Sequence, residues 1–333
     1  MTPFAFHRAS SVADAIAQLG SDGAFLAGGT NLVDQMRLGI RSPRNLVDIN
    51  HLGLDQITRA DDGVLRVGAL VRNSDMAANP LIRQHFPFVA KALLAGASGQ
   101  LRNMATTGGN LLQRTRCVYF QDLTTPCNKR EPGTDCSARE GFGRYNALFG
   151  ASQACVAVHP SDLCIALAAL DTEVIVQGQD GERRIAFAQF HRLPGETPQH
   201  DTHLSQGEMI TAIEIAPLPF AVNSSYRKVR DRASYAFALI SVAAALDVRD
   251  GVIRDLRLAL GGASHKPHRA SSAEAALIGG PATHEAFVSA ARAELEQARP
   301  GPENAFKVRM LLNTIPAVLS ALAAHSQADG VTA

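Results

Sequence analysis

The sequence predicts an α+β fold built from more than one structural unit, and two observations carry that prediction. Short strand-like runs alternate with helix-like segments over the first two thirds of the chain, whereas the last third places two long strand patterns ahead of two amphipathic helix patterns. Pro217–Leu218–Pro219 marks a boundary between the two parts. With 333 residues, 46% hydrophobic and 19% charged, the chain is long enough for two or three domains with apolar cores.

The elements of the first part follow from local patterns. Apolar residues recur at helical spacing over residues 11–19, behind serines that can cap the helix. Residues 24–27 form a short apolar strand that leads into a glycine pair. Further along, the sequence predicts a helical turn at 31–38, strands at 45–49 and 64–67, and a helix at 88–97.

Regular structure resumes after a long polar stretch at residues 114–153. Residues 161–170 predict an apolar helix capped by Ser161 or Asp162, and strands follow at 173–177 and 209–215. Residues 236–248 and 252–260 predict two strands joined by a turn at Arg249–Gly251, and the final helices are expected at 284–296 and 304–325.

Charge and hydropathy exclude some classes of function. A net charge of +1 implies no general attraction to nucleic acid or to membrane surfaces. No uninterrupted run of 18 apolar residues is present, so no membrane insertion is expected. Residues 1–8 lack the basic-then-apolar order of a secretory signal, so the chain made alone is expected in the cytoplasm. The alternative is that the folded chain is exported together with a partner that carries a signal.

Two glycine pairs, in Ala27–Leu32 and in Thr106–Leu111, lie about 80 residues apart. For a single pair, a tight turn is the simpler interpretation. Two pairs, each followed by Asn and Leu, favour backbone amides that bind phosphate oxygens of one long, doubly phosphorylated ligand. No lysine follows the first pair as in a P-loop, and the G-x-G-x-x-G fingerprint is not matched.

All five cysteines lie between residues 117 and 164. Cys117, Cys127, Cys136 and Cys155 are separated by nine, eight and eighteen residues, without the close pair that zinc sites usually contain. Disulfides would need an oxidising compartment. Four thiolates in an otherwise irregular loop suit an iron–sulfur cluster. Cys164 lies in an apolar run and is expected to be a buried hydrophobic residue.

Two further features have a structural and a functional interpretation. Asp162 is most simply a carboxylate at a helix N-terminus, and its alternative role is hydrogen bonding to ligand hydroxyls. The basic run Arg227–Arg232 is most simply a solvated face. Its alternative role is to supply a cation to a ligand phosphate or to an electron-rich ring.

The motifs A-G-G-T-N-L (27–32), Q-L-R-N-M-A-T-T-G-G-N-L (100–111) and H-P-S-D-L (159–163) occur in the order found in a known family. The chain resembles the FAD-binding subunit of the xanthine dehydrogenase family of molybdenum hydroxylases, and residues 226–245 resemble the start of that family's C-terminal domain. The cysteine stretch is similar to the flavin subunit of bacterial periplasmic aldehyde oxidoreductases, which carries a [4Fe–4S] cluster on an inserted loop.

The resemblance implies a specific domain organisation. Residues 1–220 would form a two-subdomain FAD-binding domain of the PCMH (vanillyl-alcohol-oxidase-like) type, with subdomains at about 1–55 and 56–220 and the cluster loop inserted at about 114–156. Residues 221–330 would form a small α+β domain like the C-terminal domain of the CO dehydrogenase flavoprotein.

The resemblance also implies the cofactor ligands. Asp162 would bind sugar or ribityl hydroxyls, while Ile210 and Lys228 would lie near the flavin ring. The implied cluster ligands are Cys117, Cys127, Cys136 and Cys155, and no catalytic residue is expected on this chain. The implied FAD-binding residues are Leu26, Ala27, Gly28, Gly29, Thr30, Asn31, Leu32, Val33, Thr106, Gly109, Asn110, Asp162, Ile210 and Lys228.

The function implied by the resemblance is electron transfer within a molybdenum-containing aldehyde oxidoreductase. Electrons would pass from a molybdenum cofactor through [2Fe–2S] clusters, both in partner subunits of a heterotrimer, to FAD on this chain and then to an external acceptor. Co-export would place the complex in the periplasm, with the cytoplasm as the alternative. Other hypotheses are the flavin subunit of a xanthine or aromatic acyl-CoA enzyme, a self-contained FAD oxidase, and a zinc-stabilised binding module.

Overall fold

A computed structural model describes the backbone of residues 1–330 and the side chains of residues 1–326. The N-terminal part is a small parallel sheet in the strand order β1-β3-β2. Ser11 accepts a hydrogen bond from the backbone N–H of Asp14 and so caps the first helix, as its sequence predicts. The elements are β1 (Ala5–Arg8), α1 (Val12–Leu19), β2 (Gly23–Leu26), α2 (Leu32–Arg37) and β3 (Asn45–Asp48).

The second part is an antiparallel sheet of five strands in the order β4-β5-β8-β6-β7, covered by short helices. Phe86, Phe88 and Phe190 are buried in its apolar core. The strands are β4 (Ile57–Arg59), β5 (Leu65–Gly68), β6 (Thr172–Gly178), β7 (Gly181–Ala186) and β8 (Met209–Ile215). The helices are α3 (Asn73–Ala78), α4 (Pro80–His85), α5 (Pro87–Ala95), α6 (Gly99–Arg102), α7 (Thr107–Leu111), α8 (Val118–Gln121), α9 (Asp162–Ala168) and α10 (Phe187–Phe190).

The third part begins after a 3-10 turn at Pro219–Val222 and packs helices against an antiparallel sheet in the order β12-β11-β10-β9. Asp250 and Gly251 both have positive φ, as the tight hairpin between β10 and β11 requires. The strands are β9 (Ser224–Val229), β10 (Ile240–Arg249), β11 (Val252–Gly261) and β12 (His268–Arg269). The helices are α11 (Ser271–Leu277), α12 (His284–Leu295) and α13 (Phe306–Gly330).

The α+β prediction is confirmed, and the differences lie in particular segments. The basic run at residues 227–232 is not simply a solvated face, because its first three residues belong to β9 and Tyr226 in the same strand is buried opposite Ala243. The predicted strand at 236–248 begins only at Ile240. The preceding residues form an irregular bend in which Tyr235 has a φ of 51°, a conformation that a strand does not allow.

Helix α13 is apolar enough to raise the question of membrane insertion. Its segment Phe306–Ser326 meets the length and composition of a membrane span, with a mean hydropathy of 1.3. The absence of an uninterrupted apolar run therefore does not exclude such a helix. In the fold, Leu311, Ile315 and Leu319 are buried in the core that α13 shares with α12 and β10. A helix with one buried face meets the same criteria.

Within residues 114–156 the structure describes one short helix, α8, and the rest is irregular, as predicted. Lys307 on α13 holds the end of this loop. Its Nζ donates hydrogen bonds to the carbonyls of Asn146 (2.9 Å) and Gly262 (2.7 Å), and its side chain is fully buried. Burial, aided by the nearby charge of Arg144, lowers the pKa of Lys307 to about 7.

We expect Lys307→Met to lower the free energy of unfolding of the isolated chain by about 1–3 kcal/mol, because two carbonyls lose their donor. Denaturant unfolding measures this change. Arg309→Met is the matched control, since Arg309 lies on the same helix and is exposed. Equal stability of the two variants would contradict the role given to Lys307.

The stabilisation by Lys307 should also depend on pH. In the unfolded chain its pKa returns to about 10.4, so between pH 7 and that value the unfolded state binds more protons than the folded state. The contribution of Lys307 therefore rises with pH, and the stability difference between the wild-type chain and Lys307→Met should widen from pH 7 to pH 9. A constant difference would show that the lysine keeps an ordinary pKa.

Candidate cofactor cleft and cysteine cavity

The first glycine pair forms a tight loop between β2 and α2. Gly29 has a φ of 72°, which favours glycine over any other residue. Its carbonyl accepts the N–H of Val33, and the carbonyl of Asn31 accepts the N–H of Gln35, so the loop leads directly into the helix. The side chain of Asn31 does not cap α2, which leaves its amide oxygen available to other partners.

The second glycine pair forms the short helix α7, anchored to the five-stranded sheet. Thr106 caps α7 by accepting the N–H of Gly109. The N–H groups of Thr107 and Gly108 donate to the carbonyls of Val71 and Ala69, at 2.9 and 2.8 Å. A side chain at Gly108 would crowd Ala69, so glycine permits the helix to lie close to the strand end.

The two glycine motifs lie against each other. A Cβ atom at Gly28 would be 1.8 Å from the carbonyl oxygen of Met104, two residues before Thr106. Arg72 donates a hydrogen bond to that same carbonyl and another to Asn50 (3.0 Å), and Asn50 in turn donates to the carbonyl of Ala27 (3.0 Å). The structure therefore brings the two glycine motifs into direct contact.

An open cleft runs along these loops as three cavities of about 570, 350 and 320 Å³. Thr30, Asn31 and Gly109 line both the first and the second cavity, while Asp162 and Arg116 line both the second and the third. We call this joined space the glycine cleft. An extended ligand that spans these cavities would contact both glycine motifs.

Asp162 and Lys228 form a buried ion pair in the wall of the cleft. The Nζ of Lys228 lies 2.8 Å from Oδ2 of Asp162, and the hydroxyl of Tyr226 donates to Oδ1. Burial and the adjacent carboxylate raise the pKa of Tyr226 well above its ordinary value. Ser161 caps α9 and donates to Asn110 (2.6 Å), which joins this pair to the second glycine motif.

The structure places most of the implied FAD-binding residues along the cleft. Leu26, Val33 and Ile210 line none of its three cavities. Leu26 and Val33 pack beneath Gly29. Ile210 lies on β8, where its side chain is buried in the apolar core and is opposite Val176 on β6. Contact between Ile210 and a flavin ring stays a prediction.

Four cysteines line a second, much smaller space, which we call the cysteine cavity. Its lining includes Cys117, Cys127, Cys136 and Cys155, all free thiols, and its volume is about 10 Å³. Burial raises the pKa of Cys117 and Cys136, and raises that of Cys155 to about 12. Four thiols that line one small space fit a site that releases protons when a metal group binds.

A buried lysine fixes the loop that carries these cysteines. Lys129 pairs with Asp201 and donates to the carbonyl of Pro198 (2.7 Å). His265 donates from Nδ1 to the carbonyl of Ala157, so its Nε2 accepts from Lys129 at 3.1 Å. Burial and the adjacent charge of Lys129 lower the pKa of His265 to about 3, which keeps the ring neutral as that contact requires.

Cys164 is separate from these four. It lies in α9, is buried, and has a pKa raised to about 12 by burial. His159 and His191 lie near it, with their ligand atoms within 4.8 Å of one another. Among the described residues no fourth histidine, cysteine or carboxylate joins this group, and we assign it no metal.

Sequence reasoning missed several residues that line the cleft. Arg116, Tyr235 and Phe237 all line both the 350 Å³ and the 320 Å³ cavity. Arg232 lines both as well, and it belongs to the basic run whose alternative role was to supply a cation to a ligand. Tyr235 and Phe237 fall within the stretch that suggested the family, where the resemblance gave a role to Lys228 alone. Arg116 precedes the first cysteine of the loop. The sequence did offer one signal for Arg116, namely its position directly before a predicted cluster ligand.

Gly28→Ala tests the close approach of the two glycine motifs. Gly28 has no positive φ, so the added methyl group acts only by collision with the Met104 carbonyl. We expect a loss of at least tenfold in FAD affinity, measured by flavin fluorescence titration of the chain freed of cofactor. Gly99→Ala is the control, because a Cβ atom there meets nothing within 4 Å. Wild-type affinity in Gly28→Ala would refute the interface.

Comparison with known proteins identifies the family. Residues 2–219 match the family described as the FAD binding domain in molybdopterin dehydrogenase, and residues 224–315 match the CO dehydrogenase flavoprotein C-terminal domain. The chain is 48% identical over 324 residues to the aldehyde oxidoreductase FAD-binding subunit PaoB of Escherichia coli, covering 96% of this chain and 98% of that protein.

More distant relatives share the same organisation. The glyceraldehyde dehydrogenase medium chain of Sulfolobus acidocaldarius is 30% identical, with 83% of this chain and 81% of that protein covered. The structure of carbon monoxide dehydrogenase from Hydrogenophaga pseudoflava shares the fold, with a TM-score of 0.75 at 24% identity over 97% of this chain and 98% of that one. The chain therefore belongs to the FAD-binding subunits of the xanthine dehydrogenase family of molybdenum hydroxylases.

Proposed function

We propose that this chain is the FAD- and [4Fe–4S]-binding electron-transfer subunit of a molybdenum-containing aldehyde oxidoreductase. The observation that carries the proposal is the pairing of the glycine cleft with a cavity lined by four cysteines on one chain. The relative that shares 48% identity is named as the FAD-binding subunit of an aldehyde oxidoreductase. An aldehyde is therefore the substrate class that we assign to the complex.

The residues of the cleft suit an extended dinucleotide. Backbone amides of the loop at Gly28–Asn31 and the cap at Thr106 would face the diphosphate, where small residues let the ligand approach closely. Asp162 would accept hydrogen bonds from ribityl or sugar hydroxyls, and Lys228 holds that carboxylate in place. When bound, FAD accepts electron pairs and releases them singly or together.

The cysteine cavity has the donor set of an iron–sulfur cluster. Cys117, Cys127, Cys136 and Cys155 supply four sulfurs, as a [4Fe–4S] cluster requires. The backbone N–H of Cys127 donates a hydrogen bond to the hydroxyl of Thr134, and this contact orders the loop around the Cys127 sulfur.

Partner subunits complete the proposal. Substrate oxidation would take place on a molybdenum-cofactor subunit, and a [2Fe–2S] subunit would deliver electrons to this chain within a heterotrimer. The side chains of Tyr145, Tyr235 and Phe237 line the 320 Å³ cavity yet are more than two-fifths exposed, which suits a surface covered by another subunit. We place the complex in the periplasm through co-export with a signal-bearing partner, with the cytoplasm as the alternative.

Cys127→Ser tests the cluster. The wild-type chain, reconstituted without oxygen, should hold about four iron atoms, as one [4Fe–4S] cluster does. Loss of one ligand should remove most of that iron and loosen the loop, because metal binding and folding are coupled. Iron analysis and limited proteolysis measure both effects. Cys164→Ser is the control, since that thiol lies outside the cavity. Equal iron in both variants would refute the ligand set.

A second experiment tests whether aldehyde is oxidised on a subunit other than this chain. Aldehyde added without oxygen should leave the flavin absorbance of the isolated chain near 450 nm, an approximate value, unchanged, whereas dithionite should bleach it. In the complete complex the same aldehyde should bleach the flavin. Turnover of aldehyde by the isolated chain would instead support a self-contained FAD oxidase.

A further inference from the structure

Arg116 lies between the glycine cleft and the cysteine cavity. It directly precedes Cys117, and its side chain lines both the 350 Å³ and the 320 Å³ cavity of the cleft. Its Nη2 donates a hydrogen bond to Oδ1 of Asn31 in the first glycine loop, at 3.3 Å. Its Cζ lies 5.2 Å from the ring centre of Phe237, so the guanidinium is stacked against an aromatic face.

The charge of Arg116 lacks a close counter-ion in the part of the chain whose side chains are described. No carboxylate lies within 4 Å of it, and its buried Nε has no hydrogen-bond partner. Lys228 and Arg114, also along the cleft, are paired with Asp162 and Asp201. Arg41, Arg102 and Arg232 line the cleft without a carboxylate partner among the described side chains, but among the arginines of the cleft only Arg116 has a buried Nε that lacks a hydrogen bond. A half-buried guanidinium with a free N–H and no anion favours a bound anion.

We propose that Arg116 binds the diphosphate of FAD and so couples the occupied cleft to the cysteine loop. The proposal rests on FAD occupying the cleft, as argued above. Arg116 already contacts Asn31, the last residue of the loop expected at the diphosphate, and the fork of the guanidinium matches two phosphate oxygens. Because Cys117 is the next residue, a guanidinium held by phosphate fixes the backbone that presents the first cluster sulfur.

Binding of FAD to variants of the full chain tests the first half of the proposal. Arg116→Gln should raise the Kd of FAD about tenfold to a hundredfold, the range expected for a charge-assisted contact. Arg116→Lys should lie between this variant and the wild type, because the charge remains without the fork. The control is Arg59→Gln, since Arg59 lines a different cavity.

The salt dependence of the Kd separates an ionic contact from a structural role. Binding of FAD to the wild-type chain should weaken with added salt more steeply than binding to Arg116→Gln, because one screened charge pair is missing in the variant. An unchanged Kd, or equal salt dependence in the two proteins, would overturn the proposal. Failure of the wild-type chain to bind FAD at all would instead refute the proposed function.

A double-mutant cycle tests the coupling. With the cluster assembled in the wild type, Cys127→Ser should raise the Kd of FAD, and this effect should shrink when Arg116 is already glutamine. By linkage, FAD should raise the iron retained by the wild-type chain more than that retained by Arg116→Gln. Equal effects of Cys127→Ser in both backgrounds would overturn the link between the two sites.

Discussion

The contact between Gly28 and the carbonyl of Met104 is the constraint on which the cleft depends. It joins the parallel three-stranded sheet to the helices that cover the five-stranded sheet, at a separation that no side chain would permit. Arg72 and Asn50 reinforce it with hydrogen bonds to backbone carbonyls on either side. Because this contact fixes both glycine motifs at once, the shape of the glycine cleft depends on how the three-stranded sheet packs against those helices.

The cysteine loop is ordered by a different means. It contains little regular secondary structure, and charged side chains hold it instead. Although burial acts in the opposite direction, the charges of Lys129 and Arg114 lower the pKa of Asp201 to about 2. Asp201 therefore stays ionised, and its pairs with Lys129 and Arg114 attach the loop to residues 198–201 at ordinary pH.

Much of this arrangement could be predicted from local sequence signals. The glycine pairs, the capped helix at Ser161 and the four clustered cysteines are each encoded within a few residues, and the structure places them at one cleft and one cavity. Arg116, Tyr235 and Phe237 could not be assigned in that way, because their places in the cleft depend on contacts between segments far apart in sequence. Strand β9 was not predicted because Arg227 and Lys228 suggested a solvated face, although the Lys228 side chain is buried against Asp162.

The ion pair between Asp162 and Lys228 crosses the boundary between the two matched families. One wall of the glycine cleft is thus assembled from both modules. Related proteins that recombined at the junction near residue 220 would unite a carboxylate from one ancestor with a lysine and tyrosine from the other. A hybrid that lost either partner of the pair would leave an uncompensated charge buried in the wall of the cleft.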